Sequence, residues 1–173
     1  MKSPSLHLYT LPILLALNAI SIIAMQFIVP SMPSMQETFG VTPATVQLTL
    51  TVFMLGYAIV QIGCGPLSDR YGRKIVLIWS MTIFVVGSFL GAAAQGIEVL
   101  LLARLLQAIG AAAGFVLPPA VARDVYGQNG AAKAMSYISI AAGLAALVAP
   151  YFGGLVHEAM GWRAGMVIVG LLG

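Results

Sequence analysis

The chain has 173 residues, of which 60% are hydrophobic and only 8% charged, against roughly a quarter charged in soluble domains. That composition excludes a water-soluble globule. The formal charge of +3 does not signal nucleic-acid binding, because the basic residues stand at the ends of apolar runs instead of forming one face. The single cysteine, Cys64, excludes an intramolecular disulfide framework and a cysteine metal site, and reads as a small apolar residue near a helix end.

Apolar runs of about 20 residues are long enough for a helix to cross roughly 30 Å of hydrocarbon. The first spans about Leu11 to Val29, with Pro12 near its first turn and Pro30 and Pro33 as stops. A signal peptide would have a shorter apolar core and a small-residue cleavage site, so this run is read as a retained helix. The second follows Thr42-Pro43, an N-cap and first-turn pair, and continues to about Cys64. The third covers about Ile75 to Ala94, the fourth Val99 to Ala122 and the fifth Ala134 to Val156. A sixth begins near Ala164 and reaches only Gly173, about 15 Å of helix, or half a bilayer core. The expected architecture is all-α and membrane-integral, with five complete spans and a truncated sixth.

If the helices alternate, Lys2, Arg70, Arg73, Lys74, Arg123 and Lys133 share one side, whereas the other holds Arg163 with Glu37, Glu98 and Glu158. The positive-inside rule then puts the N-terminus in the cytoplasm. The spacings "GSFLG" (Gly87 to Gly91) and "GAAAG" (Gly110 to Gly114) are those of closely packed helices.

Topology requires only cations, so Asp69 among Arg70, Arg73 and Lys74, and Asp124 beside Arg123, need a second reason. Either a charge network links helix ends, or these are solvated loop charges; periodicity does not choose. Arg104 lies about 9 Å into its helix, where an Arg costs at least about 2.5 kcal/mol unless it meets a partner or a wet cavity. It is a candidate functional residue, the alternative being a side chain that snorkels outward. Gln107 shares its face, as do Asn18 with Gln26 and Tyr57 with Gln61. These polar pairs either line an aqueous path or hydrogen-bond between helices. Pro150, followed by Gly153 and Gly154, predicts a kink in the fifth helix. No carboxylate falls within a span, and no Ser/His, HExxH or paired-Asp arrangement suggests an enzyme.

The stretch "GPLSDRYGRKIVL" resembles the loop signature of the major facilitator superfamily, filled here by Gly65, Leu67, Asp69, Arg70, Gly72, Arg73, Lys74 and Leu77. "LLLARLLQAIGAAAG" is similar to the family's helix 4 motif, with Arg104 and Gln107 in place and Ala108 where glycine is usual. "AALVAPYFGG" resembles the helix 5 antiporter motif, keeping Pro150, Gly153 and Gly154 but carrying Ala145 and Ala149 for two glycines. "FIVPSMPSM" is similar to twelve-helix drug–proton antiporters of the Bcr/CflA group.

The resemblance implies that residues 1–173 are the N-terminal half-bundle of an alternating-access drug or solute exporter in a bacterial inner membrane. Its partners would be lipid, protons, a drug-like substrate and a C-terminal half-bundle; it implies no cofactor, metal or nucleic acid. Asp69, Arg73 and Asp124 would form a conformational latch with Gly65, Arg70, Gly72 and Lys74. Arg104 would serve proton coupling or substrate binding, with Gln107, Asn18 and Tyr57 beside it, and Pro150, Gly153 and Gly154 the antiporter kink. Relatives in the group often carry an acidic residue where this chain has Gln26. The rival expectation is a truncated membrane protein that associates with a transporter, or with its other half, without transporting.

Overall fold

The computed structural model describes residues 4–173, so Lys2 lies outside the described residues. The chain enters as α1, Pro4–Gln26. The helix begins earlier than the apolar run, which places Pro12 two turns inside it and not in the first turn. Nor do Pro30 and Pro33 stop it: α1 already ends at Gln26, and these prolines open the two turns that follow. Proline suits a first helical turn because its missing N–H has no intrahelical partner there. Pro30 begins a 3-10 turn, Val29–Ser31, and Pro33 begins α2, Met32–Phe39, which closes on Gly40 in the left-handed region (φ 63°).

The next helix, α3, Pro43–Tyr71, starts as its sequence predicts: the Thr42 hydroxyl accepts from the Thr45 N–H at 3.3 Å, with Pro43 at the first position. It does not end near Cys64. It runs 29 residues, about 44 Å and so longer than a bilayer core, until Gly72 at φ 91° breaks it. Cys64 is therefore buried in the helix interior. The residues from Gly65 to Tyr71, polar enough to read as a loop, form two further helical turns.

Helix α4, Arg73–Ala92, follows after the single residue Gly72. The run Ile97–Met160 is broken by Gly127 (φ 64°, ψ −175°), which divides it into α5, Ile97–Gly127, and α6, Gly130–Met160. The last element, α7, Trp162–Leu172, is only 11 residues long. Five helical segments are long and apolar enough to cross a membrane, as the apolar runs predict.

Helix α5 is the hub. Ala103, Ala108, Ala111, Ala112 and Ala113 on it are fully buried, and it packs on α1, α3 and α4. Glycine permits that density. A Cβ on Gly110 would fall 2.5 Å from the Phe84 Cβ and against the Ser80 carbonyl, and one on Gly87 would fall 2.8 Å from the Gln107 backbone nitrogen. The two small-residue spacings thus bring α4 and α5 together backbone to backbone.

The two ends of the bundle differ. An ion pair between Arg73 and Asp124 ties the α3–α4 turn to the end of α5, gathering Arg70, Arg73, Lys74, Arg123 and Lys133 at one end. At the other, Arg163 donates to the Ala94 carbonyl (3.0 Å), and Trp162 donates to the Thr38 hydroxyl (3.3 Å) while packing on Phe39. There α2 and the start of α7 cover a cluster built on Met35, Val46 and Leu100.

Candidate functional site

Two polar assemblies stand out in this apolar bundle, and each grows from a stretch already singled out in the sequence. The first is at the basic end. Gly72, in a conformation that L side chains rarely adopt, lets α3 stop and α4 begin within one residue, so Asp69 and Arg73 meet across the turn. Arg73 Nη2 lies 3.4 Å from Asp69 Oδ1, and Arg73 Nε donates to Asp124 Oδ2 at 2.5 Å. One guanidinium thereby joins the ends of α3, α4 and α5. The carboxylates are mostly exposed, so this is a network and not a set of unconnected loop charges, yet one that water can enter. Arg70 and Lys74 are exposed; Arg70 lies over the Tyr71 ring. Gly65 belongs to α3, and its carbonyl accepts from Ser68 Oγ at 2.8 Å.

The second assembly is buried. Arg104 does not snorkel: it is 1% exposed, and its Nη1 donates to the Ala24 carbonyl of α1 (2.9 Å) and to Gln107 Oε1 (2.8 Å). Gln107 passes the chain on, its Nε2 donating to Ser88 Oγ of α4 (2.7 Å) and reaching Met166 Sδ of α7 (3.7 Å). Ser88 ends it by donating to the Phe84 carbonyl. The guanidinium carbon sits 4.2 Å from the centre of the Phe53 ring on α3. Five helices therefore converge on the Arg104–Gln107 pair, with Phe53 covering the face of the guanidinium electrostatically. Arg104 Nε and Nη2 remain buried without a hydrogen-bond partner.

The other predicted residues distribute around this centre. Asn18 is buried, its Nδ2 donating to the Phe115 carbonyl of α5 at 3.4 Å. Tyr57 is half-buried, stacked on Phe53 (5.8 Å) and tilted against Phe115 (6.0 Å). Gln26 is half-buried and is not among the partners of Arg104, although it lies two residues beyond the Ala24 carbonyl that is. Pro150 sits within helical backbone, the one non-helical residue of the long run being Gly127. Gly153 is pressed against the Phe27 carbonyl and Gly154 faces Pro30, so this stretch packs where α1 gives way to its 3-10 turn. Among the described residues, no cluster of three His, Cys, Asp or Glu could hold a metal.

Ser88, Met166, Phe53 and the Ala24 carbonyl escaped the sequence reading. Ser88, the one hydroxyl inside "GSFLG", carried a signal; a backbone carbonyl and a thioether carry none.

Residues 14–173, almost the entire chain, match the Major Facilitator Superfamily. The chain belongs to that family. As a member of the major facilitator superfamily it is a multi-pass membrane protein of a transporter family, and several of its curated relatives are named as bacterial drug-resistance proteins. It is 34% identical to the chloramphenicol resistance protein of Pseudomonas aeruginosa, over 94% of this chain and 39% of that protein. It is 30% identical to a bicyclomycin resistance protein homolog of Haemophilus influenzae, over 99% of this chain and 42% of that one. Multidrug resistance protein D of Escherichia coli is 29% identical over 87% and 38% respectively. The chain spans about 40% of the length of these relatives.

Proposed function

We propose that residues 1–173 form the N-terminal transmembrane half-domain of a secondary active exporter of drugs or small solutes, coupled to protons and working by alternating access. The observation that carries this reading is the Arg73 network. Exposed ion pairs contribute little to stability, about 0–1 kcal/mol each, so Asp69–Arg73–Asp124 is better suited to being broken and remade than to holding the fold. Placed where three helix ends meet, it suits a latch that closes one end of the bundle and lets go during the cycle.

In this reading the basic end faces the cytoplasm of a bacterial cell, in accordance with the positive-inside rule. The remaining half of the transport path comes from a second half-bundle, and substrate binds near the midplane between the two, as in repeat-built transporters. Arg104 anchors α1, α3, α4, α5 and α7 behind that surface and serves substrate or coupling with Gln107, Asn18 and Tyr57. With Gln26 in the first helix and all five carboxylates near helix ends, the proton-carrying group belongs to the other half. The drug-resistance names of the relatives favour small antibiotics as cargo.

The deciding experiment measures chloramphenicol accumulation in drug-sensitive cells expressing the full reading frame, with and without Arg73→Ala. The expected result is lower accumulation with the intact chain, abolished by collapsing the proton gradient and by the substitution, at equal membrane levels. Residues 1–173 alone, in proteoliposomes, are expected to move no drug. Efflux unaffected by Arg73→Ala would overturn the latch, and efflux from residues 1–173 alone would overturn the half-domain reading.

A further inference from the structure

Arg104 carries a charge that its surroundings leave unbalanced. Among the described carboxylates, Asp69 and Asp124 pair with Arg73 at the basic end, and Glu37, Glu98 and Glu158 are exposed. The partners of Arg104 are a backbone carbonyl, a side-chain amide and an aromatic face, all of them neutral. A buried cation normally acquires a counter-charge as well as hydrogen-bond acceptors. Here Nε and Nη2 have neither.

A small internal cavity adjoins the guanidinium, between the end of α1, the centre of α5 and the start of α7. Ser31 and Gln107 line it with polar groups, and Phe27, Trp162 and Met166 wall it with apolar ones. It has room for one solvent-sized occupant and not for a polyatomic anion. Water would satisfy the free N–H groups but leave the charge standing. A halide does both: it accepts hydrogen bonds from several donors at once, and its weak hydration makes an apolar wall tolerable.

We propose that this cavity is a halide site, occupied by chloride in the cell, and that the bound anion neutralises Arg104 from the side opposite its protein partners. The cavity is too small for a drug-like molecule, so the anion is structural and not cargo. It stands or falls separately from the transport reading.

The test uses the full chain in lipid nanodiscs and reads thermal unfolding, with no transport step. At constant ionic strength, replacing gluconate by chloride is expected to raise the midpoint along a saturating binding curve, by about 2–4 °C. Bromide is expected to act like chloride, and sulfate like gluconate. Arg104→Gln is expected to abolish the response. Because that variant also removes an anchor of the fold, Ser31→Val is the second: it fills the cavity, keeps the guanidinium and is likewise expected to abolish the response. Bromide-soaked crystals should show an anomalous peak beside Arg104. Equal midpoints in chloride and gluconate, a response that survives Ser31→Val, or bromide found only elsewhere would overturn the proposal.

Discussion

Replacing Gln107 by leucine tests whether the buried chain from Arg104 to Ser88 is held together as its distances indicate. The substitution nearly conserves volume but deletes an acceptor 2.8 Å from Arg104 Nη1 and a donor 2.7 Å from Ser88 Oγ. The first bond is charge-assisted and contributes about 2 kcal/mol. The second, between neutral groups in a membrane bundle, contributes about 0.6 kcal/mol. Loss of both gives about 2.5 kcal/mol, or a fall of roughly 5–10 °C in the unfolding midpoint for a chain of this size. Ser88→Ala removes that weaker bond together with the one Ser88 Oγ donates to the Phe84 carbonyl, and its expected cost is about 1 kcal/mol. In the double variant the Gln107 bond is already gone, so the Ser88 change should then cost only the bond to the Phe84 carbonyl, about half as much. Unfolding of all four proteins in one detergent measures the cycle. If Ser88→Ala proves as costly as Gln107→Leu, or if the two effects simply add, Gln107 is not the link between Arg104 and α4.

Gly110→Ala forces a Cβ into the Ser80 and Phe84 backbone and should destabilise the bundle by about 1–3 kcal/mol, read in the same unfolding assay. Asp124→Asn should impair drug efflux more than Asp69→Asn, because Arg73 holds Asp124 at 2.5 Å and Asp69 at 3.4 Å, while both leave stability within about 1 kcal/mol of the parent. Resistance titres at matched expression, with melting curves on the purified proteins, separate the two effects. Gly72→Ala, at φ 91° with open space around it, should strain the α3–α4 turn by about 1–3 kcal/mol without any steric clash. A loss of efflux larger than its loss of protein yield would show that the turn sets the geometry of the Arg73 network.

Hydropathy made the spans legible because each membrane helix must satisfy its own backbone, so length and apolarity suffice to find it. The same signal misplaced the end of α3. A helix does not stop where its side chains become polar; it stops where the backbone must turn, and that place is Gly72, eight residues past Cys64. The short α2 was hidden for the opposite reason: two prolines that look like breakers serve as first-turn residues. Arg104 and Gln107 were visible as costly polar residues three apart on one helix. Their destinations were not, since the Ala24 carbonyl, Phe53, Ser88 and Met166 lie between 19 and 80 residues along the chain from the group each one meets, and no local pattern encodes such a meeting.

The backbone contact between α4 and α5 has a mechanical consequence. At Gly87 and Gly110 the two helices touch without side chains between them, so neither can roll or slide on the other without backbone colliding with backbone. Side-chain interfaces can creep by changing rotamers; this one has no rotamers to change. The pair is therefore keyed to move as one unit, so that a displacement at the basic end, where Arg73 pairs with Asp69 of α3 and Asp124 of α5, carries with it the part of α5 that holds the buried guanidinium.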